Sequence, residues 1–142
     1  MTIGAIVKAR NAEIFALRPD QNIADAVSLF ATHRIGAAPV LKGEEVAGIF
    51  SERDVIRCVQ EHGTAALGLS ISEVMTTPAL TVTPDEQVLG ALSLMTHRRV
   101  RHLPVVAEGR LVGFVSIGDL VKFRIDQVEA DAAAMRAYIQ QA

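Results

Sequence analysis

Gly48-Ile49-Phe50-Ser51-Glu52-Arg53-Asp54 and Gly113-Phe114-Val115-Ser116-Ile117-Gly118-Asp119 share the pattern Gly-x-x-Ser-x-x-Asp and lie 65 residues apart. The same offset carries Pro19-Asp20 onto Pro84-Asp85, Ala26 onto Ala91, Ser28-Leu29 onto Ser93-Leu94 and Pro39-Val40 onto Pro104-Val105. The register holds without a gap from Pro19 to Asp54. Self-similarity at a fixed offset is the mark of a duplicated supersecondary unit. The chain therefore reads as two copies of one α/β unit.

Each copy gives the order strand, helix, strand, tight turn, strand, helix. Ile14 to Leu17 and Ala79 to Val82 are short strand candidates ending near Pro-Asp. Thr83-Pro84-Asp85-Glu86 predicts a helix start, with Thr83 at the N-cap and Glu86 three residues on. Arg18 stands in the place of Thr83, which predicts a weaker cap in the first copy. Ile23, Ala26, Val27 and Phe30 fall at helical spacing, as do Val88, Ala91, Leu92 and Met95. Ala38 to Leu41 and Val46 to Phe50 flank Gly43; Leu103 to Val106 and Leu111 to Val115 flank Gly109; both read as hairpins. Helices follow from Ser51 and Ser116, the first stopping at His62-Gly63. Gly63 to Val74 reads as a linker. Each copy alone is too small to bury a sufficient core, so the two are expected to pack sheet to sheet about a pseudo-twofold axis.

Composition narrows the function classes. Of 142 residues, 50% are hydrophobic and only 4% aromatic, so the core rests on Val, Ile, Leu and Ala. A net charge of −2 gives no general attraction for nucleic acid or anionic membrane. No apolar run approaches the length of a membrane span. Lys8 and Arg10 follow the apolar N-terminal patch, the reverse of a signal peptide. The single Cys58 allows no intrachain disulfide and reads as core. A cytoplasmic location is the expectation.

The sequence resembles a tandem pair of cystathionine-β-synthase-type (CBS) domains, or Bateman module. The phrases that carry the likeness are Val74-Met75-Thr76, Thr81-Val82-Thr83-Pro84-Asp85, Arg101-His102-Leu103-Pro104-Val105-Val106 and the two Gly-x-x-Ser-x-x-Asp segments, in doubled order across Ile6 to Lys122. The resemblance implies two βαββα repeats over 6–66 and 67–124, with a helical extension over 125–142. It also implies a cleft that binds adenine nucleotides: AMP first, then ADP, ATP, NAD(H) or S-adenosylmethionine. It implies a homodimer that regulates another protein and is not an enzyme.

Ser51 and Ser116 open helices whose first backbone N–H groups are unpaired, an arrangement suited to phosphate. Asp54 and Asp119 follow one turn later, where a carboxylate can accept two ribose hydroxyls. Gly48 and Gly113 on the preceding strands leave room for close approach. A second reading stands beside this one: Ser-x-x-Asp is also a capping box that merely closes the helix end. In the resemblance, the positions of Arg101 and His102 carry a basic phosphate-binding pair, with Arg99 and Val82 as neighbouring ligand contacts. Arg can grip phosphate bidentately, and His adds a titratable donor.

Gly36-Ala37 replaces that pair in the first copy, with Arg53 as a partial substitute. The expectation is thus two unequal sites, the tighter built on Ser116, Asp119, Arg101 and His102. By the geometry of the resemblance, Arg10 reaches across to that second site. His33, His62 and His97 read as surface residues. No metal-ligand cluster, catalytic triad or phosphate loop of the GxxxxGK kind is visible.

From Val121 the stripe Val121, Ile125, Val128, Ala132, Met135 and Ile139 steps by heptad-like intervals. It reads as a helix packing across a dimer partner, or alternatively on its own domain. The rival function is a ligand-free dimerisation or docking module. A nucleic-acid contact through Arg98 to His102 is opposed by the net charge and the shortage of aromatics.

Overall fold

Two antiparallel hairpins carry the duplication. In the computed structural model, which describes residues 1–141, β1 (Ala37–Lys42) pairs with β2 (Glu45–Ser51) and β3 (His102–Ala107) with β4 (Arg110–Ser116). The registers are equivalent: Val40 faces Gly48 and Val105 faces Gly113, and each ladder then slips by one irregularity. Gly43 and Gly109 turn the hairpins with φ of 66° and 76°, values a side chain tolerates poorly. The hairpins touch where β2 meets β4, and Arg110 pairs with Glu44 at 3.0 Å.

The expected strands before each helix shrink to single parallel bridges, Leu17 with Val40 and Val82 with Val105. Helices α2 (Ile23–His33) and α5 (Val88–Arg98) lay Ile23, Ala26 and Phe30, and Val88, Ala91 and Met95, into two separate cores. Val27 is left more exposed than its spacing predicts. Each helix ends at an arginine in the left-handed region, Arg34 and Arg99.

Capping is the reverse of the expectation. In the first copy Asn22 and Asp25 form a complete capping box. In the second, Thr83 does not cap: its N–H donates to Glu86 Oε2 in a turn, and the helix starts later, after Gln87, with no side-chain cap. The two helices start at equivalent positions, and the difference is the residue there: Asn22 caps, whereas Gln87 in its place does not. The second half also carries α1 (Ile3–Arg10), a helix the sequence did not announce. Its Ile3 and Gly4 N–H groups donate to the Glu86 and Pro84 carbonyls, holding that segment as a turn.

The linker is also folded, as a 3-10 turn (Gly63–Gly68) and the short α4 (Ile71–Val74). Ile71 and Ser72 donate to the Gln21 and Pro19 carbonyls, the positions equivalent to Glu86 and Pro84. α1 therefore does for the second half what the linker does for the first. Ile3 and Ile6 are buried in the second core, and Ala66 and Ile71 in the first.

α3 (Glu52–His62) and α6 (Ile117–Gln141) start at the expected serines. Leu120 is buried, but Ile125, Val128, Met135 and Ile139 remain 51%, 48%, 60% and 64% exposed. The alternative in which this stripe packs on its own domain is not what the chain does.

Candidate functional site

Both Ser-x-x-Asp segments close their helices as capping boxes. Asp54 Oδ2 accepts from the Ser51 N–H at 2.9 Å and the Ser51 hydroxyl at 3.1 Å. Asp119 Oδ2 accepts from the Ser116 N–H at 2.8 Å, and Ser116 Oγ accepts from the Asp119 N–H at 3.1 Å. Capping does not exhaust either carboxylate. Asp54 Oδ1 accepts from Arg57 at 3.1 Å, a bond that raises the Arg57 pKa. Asp119 Oδ2 also accepts from Arg10 at 2.7 Å.

Two cavities open between the halves, one at each helix start. The Asp119 cavity, about 530 Å³, is bordered by Arg10, Gly113, Ser116 and Asp119, and by His33 and Arg34 from the first copy. The end of α1 delivers Arg10 there, where it also donates to the Phe114 carbonyl at 3.3 Å. Phe15 stacks on His33 with ring centroids 3.7 Å apart, and His102 on Phe114 at 5.5 Å. The Asp54 cavity, about 450 Å³, is bordered by Ser51, Arg53 and Asp54, and by Arg98, Arg99 and Arg101 from the second copy. Both volumes suit a small-molecule ligand.

The basic residues are thus distributed across the pair. The Arg101 carbonyl accepts the Ile117 N–H at 2.8 Å, tying its backbone to the helix that Ser116 opens. Its side chain nevertheless borders the Asp54 cavity. The expected grouping of Arg101 with Ser116 and Asp119 is therefore corrected: Arg101 and Arg99 join Ser51, Arg53 and Asp54, while His102 borders both cavities. Arg101 stands just before β3, and His102, the first residue of that strand, reaches both cavities.

Three expected contacts change in kind. A Cβ at Gly48 would lie 2.7 Å from the Thr76 carbonyl oxygen and 2.8 Å from Met75 Sδ. A Cβ at Gly113 would lie 2.6 Å from a Val7 methyl. The space above these glycines is filled by the chain itself, Val7 playing in the second half the part of Met75 in the first. Val82 is buried in the second core and borders neither cavity. Sequence reading missed Phe15, the stacking of His33, Arg34, and Arg57 as partner of Asp54. Two of these carried a signal: Arg34, whose place just after α2 matches Arg99 just after α5, and Arg57, three residues on from Asp54 along one helix.

Burial lowers the His102 pKa from the ordinary value against the upward pull of Asp119; Arg101 lowers it further and Glu52 raises it. The neutral ring that results at neutral pH is a stacking surface and hydrogen-bonding group more than a cation. Burial raises the Cys58 thiol, which leaves it a poor nucleophile. Among the described residues no cluster of three or more His, Cys, Asp or Glu could hold a metal ion, and no helix is long and apolar enough to cross a membrane.

Comparison with known proteins matches the CBS domain twice, over residues 6–61 and 71–126. The chain is 37% identical over 126 residues to the CBS domain-containing protein CBSX3, mitochondrial, of Arabidopsis thaliana, covering 85% of this chain and 61% of that protein. It thus spans less than two thirds of that relative's length. The CBS-domain containing protein ATU1752 from Agrobacterium tumefaciens superposes with a TM-score of 0.83 at 34% identity, covering 87% of this chain and 99% of the other. CBSX2, solved in complex with AMP, superposes with a TM-score of 0.73 at 21% identity, covering 80% and 90% of the two chains, a likeness of fold.

Proposed function

This chain belongs to the CBS-domain family, and from that premise we propose that it is a regulatory module binding adenine nucleotides between its two halves. The observation that carries the reading is the pair of interhalf cavities, each joining a capped Asp-bearing helix start to at least one guanidinium group of the other copy: Arg34 at the Asp119 cavity, and Arg98, Arg99 and Arg101 at the Asp54 cavity. A carboxylate one turn into the helix suits ribose hydroxyls, and guanidinium groups suit phosphate. The stacked rings in the Asp119 cavity suit a purine. AMP is the first candidate, on the analogy of the AMP complex of CBSX2; ADP, ATP, NAD(H) and S-adenosylmethionine follow.

Regulation requires that ligand favour one arrangement of the halves over another. A nucleotide touching both copies at once meets that condition, and no catalytic step is assigned to the chain. The exposed stripe of α6 supports pairing with a second copy, and a protein regulated by the module completes the reading. The same stripe favours the second reading, a docking module without ligand.

Thermal melting with nucleotide separates the two. A ligand bound only by the folded state stabilises it by about 2.7 kcal/mol at a hundredfold excess over Kd. A rise in Tm with millimolar AMP supports the sensor. Flat melts with AMP, ATP, NADH and S-adenosylmethionine leave only the docking module.

A further inference from the structure

The two cavities differ in charge although the sequence duplication made them. Four arginines, Arg53, Arg98, Arg99 and Arg101, border the Asp54 cavity against two carboxylates, Glu52 and Asp54. Neither carboxylate neutralises them. Asp54 is committed on both oxygens, to Ser51 and to Arg57, which is not among the residues bordering the cavity. The Glu52 carboxylate lies over Gly36, with Oε1 3.1 Å from where a Cβ there would stand. Among the described residues none of the four guanidinium groups has an acidic partner within 4.0 Å. An overall charge of −2 makes this local excess of positive charge a concentrated one.

The Asp119 cavity is balanced. Arg10 and Arg34 stand against Glu13 and Asp119, and Arg10 is already paired with Asp119 at 2.7 Å. An incoming phosphate finds one unpaired guanidinium, Arg34, and otherwise meets the stacked Phe15 and His33 rings.

From this contrast we infer that the cavities divide ligands by phosphate number: the Asp54 cavity takes a di- or triphosphate chain, and the Asp119 cavity a ligand with at most one phosphate. Arginines gathered at one cavity repel one another, and each added phosphate relieves that repulsion while gaining charge-assisted hydrogen bonds. Affinity there rises with chain length; at the balanced cavity it does not. This deepens the nucleotide reading and rests on it for the nucleoside, though not for the phosphate chain.

Isothermal titration of the full chain with AMP, ATP and inorganic tripolyphosphate tests it. ATP and tripolyphosphate bind more tightly than AMP, and their affinity falls more steeply with added salt. Arg101→Gln and Arg53→Gln, on separate elements and both without acidic partners, each weaken ATP and tripolyphosphate by roughly tenfold and AMP much less. Arg34→Gln in the other cavity leaves the preference for ATP over AMP in place.

Equal binding of AMP and ATP, or equal losses for both in Arg101→Gln, overturns the division while the nucleotide reading survives. Tripolyphosphate binding that depends on Arg101, with no response to AMP or ATP, supports the phosphate assignment and removes the nucleotide reading. Heat from none of the three removes both.

Discussion

Asp119 Oδ2 receives the Ser116 N–H at 2.8 Å and Arg10 at 2.7 Å, so helix capping and cavity chemistry meet on one atom. Substitution can separate them. Asp119→Ala removes both and should destabilise the fold by about 1 kcal/mol, the usual worth of such a cap. Asp119→Asn keeps an acceptor for the Ser116 N–H but drops the charge. Its melting point should stay closer to the parent while nucleotide affinity at this cavity falls; unchanged affinity would reduce the carboxylate to a cap. His102 offers a pH readout. Its folded pKa is held below the ordinary value, chiefly by burial. The unfolded chain therefore takes up the proton more readily, and stability present above about pH 6.5 is lost on acidification. The urea midpoint should drop between about pH 7 and about pH 5, and drop less in His102→Phe, which keeps a ring against Phe114.

At the scale of elements, α1 is the piece with the widest reach. It fills the second core with Ile3 and Ile6, covers Gly113 with Val7 and places Arg10 against Asp119. A sensor that moves Arg10 would pull directly on this helix. The fit at Gly113 is open to test. Gly113→Ala drives a methyl to within 2.6 Å of Val7 and should cost about 1–3 kcal/mol, as overpacked cores do. Adding Val7→Ala should recover part of that loss in denaturant melts, because the offending atoms belong to one side chain. Gly48→Ala has no such remedy, since it meets the Thr76 backbone carbonyl at 2.7 Å. If the double variant at 113 and 7 is no more stable than Gly113→Ala alone, the close approach is not what requires the glycine.

For the whole molecule, α6 leaves Ile125, Val128, Met135, Tyr138 and Ile139 uncovered. A stripe of that length in water is covered by a partner in most soluble proteins, and a second copy supplies one of matching chemistry. Light scattering should give a dimer mass for the parent. Ile125→Asp combined with Met135→Asp should give a monomer whose secondary structure is retained, because neither side chain belongs to a core. A parent that is monomeric at all accessible concentrations removes the dimer and leaves the stripe to a different protein.

The duplication, the hairpins, the helix faces and the serines that open α3 and α6 were all legible in the chain. They depend on near-neighbour chemistry: alternation, helical spacing, a glycine at a turn, a hydroxyl at a helix end. The helix α1 was not, because its stability comes from a core assembled from residues more than seventy positions away. Its echo in the linker shows only once the equivalent carbonyls of Pro19 and Pro84 are seen to accept equivalent bonds. The sequence likewise named Asp54, Asp119, Arg99, Arg101 and His102, but which cation faces which acid was settled by tertiary structure. Packing two copies face to face sends Arg101 toward the other half's helix start, and no spacing along one strand encodes the direction of a side chain across an interface.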